Sequence, residues 1–92
     1  MEKLQQLDLM DKILRELDDL KNSQTSVLKK LAQIEADNIN LGVALLDDKL
    51  PDIHTEVDSS IEIMGTLVEE FQQHRDNFYT KNNLAAVQDP TA

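Results

Sequence analysis

The sequence predicts an all-α protein: a long heptad-repeat helix followed by a second amphipathic helix, assembling as an oligomeric coiled coil or helical bundle. Three observations lead there. Read at alternating steps of three and four, the chain gives Met10, Ile13, Leu17, Leu20, Gln24, Val27, Leu31, Ile34, Asn38, Leu41 and Leu45, apolar at nine of eleven positions. A helix that holds a 3.5-residue period this long buries its seam against another helix. Val57, Ile61, Met64, Val68, Phe71 and Phe78 then form a second stripe at helical spacing, with Ile53 and Leu67 beside it. Finally, 92 residues with three aromatic rings (Phe71, Phe78 and Tyr79) make a thin core, for which oligomerisation is a common remedy.

The first helix is expected over 1–50. Leu4 and Leu7 already fall in phase, and Asp8 and Asp11 suit an early turn, where carboxylates meet the positive end of the helix dipole. Its seam alone is roughly 54 Å long at about 1.5 Å per residue, too long for one face of a compact small domain. Labelling Leu17 a and Leu20 d gives an a column of Met10, Leu17, Gln24, Leu31, Asn38 and Leu45, and a d column of Ile13, Leu20, Val27, Ile34 and Leu41. Leucine at a with β-branched residues at d favours three or four strands over a parallel dimer. The e column adds Leu7, Leu14 and Leu28, which a two-stranded coil would leave partly exposed. Both features call for more than two helices around the core.

Two soft spots interrupt this helix. Asn22-Ser23-Gln24-Thr25-Ser26 has the composition of a turn, but the heptad phase crosses it intact, so one continuous helix is expected there. Asp37-Asn38-Ile39-Asn40-Leu41-Gly42 reads either as a weak helix or as one capped by Gly42. A buried amide at an a position fixes register and oligomer number, which is the role expected of Gln24 and Asn38. Parallel packing would pair each amide with its own copy. In a dimer of hairpins, Asn38 must instead find a partner on the second helix.

The main break is expected at Leu50-Pro51, because the residue before proline is pushed out of helical geometry and proline suits the first position of a new helix. The second helix then runs over 51–80, with only Arg75 interrupting its stripe, and 81–92 reads as a disordered tail.

Chemistry leaves little trace. There is no cysteine, and His54 and His74 stand twenty residues apart without metal-ligand spacing, so both are expected at ordinary surface positions. Adjacent carboxylates at Asp18-Asp19, Asp47-Asp48 and Glu69-Glu70 point about 100° apart on a helix and do not converge. No catalytic, cofactor or metal site is expected, nor an enzyme. The net charge of −9, of which residues 51–92 carry −6 (two basic against eight acidic), offers no footprint for nucleic acid or anionic lipid. No segment approaches the ~18 apolar residues of a membrane span, and the N-terminus lacks a signal-peptide pattern, so an intracellular, soluble, cytoplasmic protein is expected.

The function expected is therefore a non-enzymatic oligomerisation or scaffold module acting through helix–helix contacts. The seam residues from Met10 to Leu45 are its interface, and the stripe from Val57 to Phe78 packs the second helix. Its partner is a copy of itself, as a trimer or tetramer in preference to a dimer of hairpins, together with another protein. Two alternatives follow from charge and seam respectively: a small acidic inhibitor of a nucleic-acid-binding protein, and a subunit of a hetero-oligomeric helical complex.

Overall fold

In the computed structural model, residues 1–85 are described and form two long α-helices, α1 (Lys3–Leu41) and α2 (Ala44–Lys81), with no strand among the described residues. They fold back on each other as an antiparallel hairpin measuring 66 × 21 × 18 Å.

α1 begins at a capping box, in which Glu2 and Gln5 each satisfy the other's backbone N–H. It then runs 39 residues without a break, straight through Asn22–Ser26. There Ser23 and Thr25 turn their hydroxyls back onto the carbonyls of Asp19 and Lys21, both at 3.0 Å, so the polar run is absorbed into the helix.

The turn lies at Gly42-Val43 instead of Leu50-Pro51, and Leu45 belongs to the second helix. Gly42 takes the left-handed conformation (φ 72°, ψ 33°) that costs glycine nothing, and its N–H donates to Asn38 O at 2.7 Å. The Asn38 side chain clasps the same turn. Its Nδ2 donates to Val43 O (3.2 Å) and Asp47 Oδ1 (2.8 Å), and its Oδ1 accepts from the Val43 N–H (3.0 Å). Asn38 is buried, yet it needs no amide from another copy. Pro51 sits inside α2 on an exposed position, eight residues into the helix. Proline there removes one hydrogen bond, and the packing of Leu50, Val57 and Met64 along the same helix outweighs that local cost.

The core lies between the helices. α1 contributes the a column together with the e column, from buried Leu7 through half-buried Met10, Leu14, Leu17, Lys21, Gln24 and Leu28 to buried Leu31 and Asn38. α2 contributes Leu50, Val57 and Met64, all buried, with half-buried His54, Ile61, Val68, Phe71, Arg75 and Phe78 between and beyond them. Both sets repeat at three and four, the spacing of an antiparallel two-helix seam. The seam is thus displaced toward Leu7, Leu14 and Leu28 and away from the d column.

The expected tail also differs at its start. Lys81 ends α2, Asn82-Asn83 form a turn in which Asn82 Oδ1 accepts from Lys3 Nζ at the start of α1, and Leu84 is buried. The remainder of that tail, 86–92, lies outside the described residues.

Candidate functional site

Three side-chain hydrogen bonds mark the hairpin's register: Asn38 with Asp47 near the turn, Asp11 with Arg75 toward the open end, and Lys3 with Asn82 beyond it. In the middle the Lys21 side chain lies near Gly65. Arg75, the cation that interrupts the apolar stripe of α2, therefore has a reason to be there. Its Nε and Nη2 donate to the two oxygens of Asp11 at 2.8 and 3.4 Å, and its guanidinium stacks 5.1 Å from the centre of the Tyr79 ring. The hydrogen bonds that Arg75 donates to Asp11 hold the cationic form and raise the Arg75 pKa further.

His54 makes a second cross-link. Its Nδ1 lies 3.0 Å from Glu35 on α1, and its Nε2 lies 3.4 Å from Asp58 one turn further along α2. The hydrogen bond with Glu35 is the largest influence on the ring and raises its pKa above the ordinary 6.5; burial is next and opposes it, while the charges of Glu35 and Asp58 add smaller effects in the raising direction. His54 is thus a tie between helices, while His74 is exposed and stacks beside Phe71.

Because the seam uses the a and e columns, the d column of α1 is left beside it. Leu20, Val27, Ile34 and Leu41 are 49, 46, 41 and 69 % exposed, and Ile13 is half-buried. Each precedes an e-column seam residue by one step, or, at Leu41, the position that would continue that column. On α2, Ile53, Ser60, Leu67 and His74 likewise precede the seam residues His54, Ile61, Val68 and Arg75. In an antiparallel pair these two columns flank the same side. Ile53 and Leu67 are 48 and 43 % exposed, and Ile63, one turn before Leu67, is 67 % exposed. Beside them lies an open depression of about 420 Å³ lined by Glu62, Ile63, Thr66, Leu67 and Glu70. One side of the hairpin is therefore an apolar strip running along both helices. The opposite side carries Asp18, Asp58 and Gln72, with exposed Ile39 as an exception near the turn.

The eleven positions expected to form one interface thus fall into two groups. Met10, Leu17, Gln24, Leu31 and Asn38 are buried or half-buried along the seam with α2, whereas Leu20, Val27, Ile34, Leu41 and Leu45 face water and Ile13 is half-covered. The six positions expected to pack α2 are all buried or half-buried. Sequence reasoning missed the pairs Glu35–His54 and Asp11–Arg75. Arg75 on an apolar stripe was the available signal, but its partner lies 64 residues away and only the register identifies it.

Among the described residues, no group of three or more His, Cys, Asp or Glu converges to hold a metal, and no helix is long and apolar enough to cross a membrane. Fold and strip together define a class: an antiparallel helical hairpin with one apolar side left uncovered by the described residues. No protein-family model matches this chain, and neither does any curated protein or solved structure.

Proposed function

We propose that the protein is a non-enzymatic oligomerisation and scaffold module, whose apolar side docks helices in a larger bundle. One observation carries the reading. The apolar face of α1 spans the d, a and e columns, and α2 covers only two of them. Leu20, Val27 and Ile34 recur every seven residues at 41–49 % exposure, and α2 supplies Ile53, Ile63 and Leu67 on the same side. Scattered surface apolar residues are ordinary, but a strip rimmed by charge on both helices has the form of an interface. Helix–helix contact is the association such a strip supports, since its side chains repeat at the spacing another helix presents.

Substitutions on and off the strip test this. Leu20→Glu combined with Leu67→Glu should reduce the assembly to a 10.5 kDa species while the helical circular-dichroism signal is kept. Ala36→Glu, at an exposed position away from the strip, should leave the mass unchanged. Equal masses for all three chains would show that the strip is not the interface.

A further inference from the structure

Resting on that reading, we infer that the strip is occupied by a second copy of this chain, related by a two-fold axis parallel to the helices. In this dimer α1 lies on the partner's α2, and the other chain completes a four-helix bundle. Charge decides between the two symmetric ways of stacking hairpins face to face. α1 carries six Lys/Arg against seven Asp/Glu, whereas α2 carries three against nine. A two-fold axis across the helices would lay α1 on α1 and α2 on α2, setting the two most acidic helices against each other. An axis along them lays the nearly balanced α1 on the acidic α2 at both contacts, which lowers the like-charge repulsion.

The details agree with the same choice. A rotation about the long axis keeps every residue at its own height, so the hairpin's register also governs the contact between copies. Leu20 then meets the partner's Leu67, and Ile34 meets the partner's Ile53. Along the outer edge, exposed Lys30 stands level with the partner's Glu56, and Asp37 with the partner's Lys49. One like pair arises, Glu16 with the partner's Glu70, and Lys12 already lies 3.7 Å from Glu16 there. The crosswise axis, centred on the apolar column at Val27, would bring Glu16 beside the partner's Asp37 and Lys49 beside the partner's Glu70, so its edge pairs cancel. The lengthwise axis leaves two attractive pairs against one like pair. The strip is complementary to itself in one orientation, as an isologous interface must be.

The absence of native cysteine permits a clean test. Chains carrying only Lys30→Cys or only Glu56→Cys, both at exposed positions, are treated with a short bis-maleimide singly and after mixing. Circular dichroism checks that each remains helical. The expected result is a covalent dimer in the mixture and little from either chain alone. A Val27→Cys chain provides the opposing readout. Prompt disulfide dimerisation of that chain, with no cross-link in the mixture, would place α1 on α1; it would overturn this arrangement while leaving self-association standing. Monomers throughout, by light scattering of the unmodified chain, would overturn the proposed function itself.

Discussion

Asn38 shows how a single side chain decides the topology. Its amide makes three hydrogen bonds that close the turn and reach the first turn of α2. Asn38→Ala should therefore cost about 1–3 kcal/mol, the range for removing a buried hydrogen-bonding group, read as a lower urea midpoint. A neutral result would mean that Gly42 alone sets the turn. His54 makes a pH-dependent contribution. Its pKa is raised in the folded chain, so the protonated ring is favoured there over the unfolded state. The stability it adds is fully present below the ordinary value of 6.5 and is lost as pH rises through the raised folded value. Urea midpoints measured at about pH 5.5 and about pH 8 should show the wild type losing more stability on the alkaline side than Glu35→Gln, which lacks the carboxylate partner. Equal pH dependence in both chains would remove Glu35 from that role. At this scale the sequence was ambiguous for a clear reason. An asparagine at an a position serves either an amide from another copy or a nearby turn, and only the location of the turn separates the two.

At the scale of the helices, periodicity was legible and punctuation was not. The phase across Asn22–Ser26 correctly indicated one helix, because a turn has no reason to conserve heptad phase. Leu50-Pro51 was misleading because the steric conflict of proline is local. The turn formed instead at Gly42, where a left-handed residue and a side-chain clasp coincide. Pro51 thus sits in α2 at a cost that propensity puts at ~3 kcal/mol relative to alanine in a helix interior. Pro51→Ala should then raise stability by about 1–3 kcal/mol in thermal or urea unfolding. Destabilisation would show that proline shapes the path of α2 instead of merely being tolerated. The seam's rotation toward Leu7, Leu14 and Leu28 has a similar origin. Three adjacent apolar columns admit two neighbouring seams, and the ties Glu35–His54 and Asp11–Arg75 belong to the one that α2 occupies.

For the molecule as a whole, the all-α class and its two helices were readable from the chain. The hairpin's orientation and its open side were not, because they depend on which of the two seams is used internally. A fully buried Leu or Ile contributes about 1.5–3 kcal/mol, so each half-exposed residue of the strip stands to gain on the order of 1 kcal/mol when covered. Association costs about 4–15 kcal/mol in lost freedom, comparable with the gain from both strips together, and assembly should accordingly depend on concentration. The most direct measurement is the molar mass of the unmodified chain by sedimentation equilibrium across a wide concentration range. The result expected is a mass rising from 10.5 kDa to a limiting value at least twice that. A folded species that stays at 10.5 kDa throughout would contradict self-assembly and, with it, the proposed function.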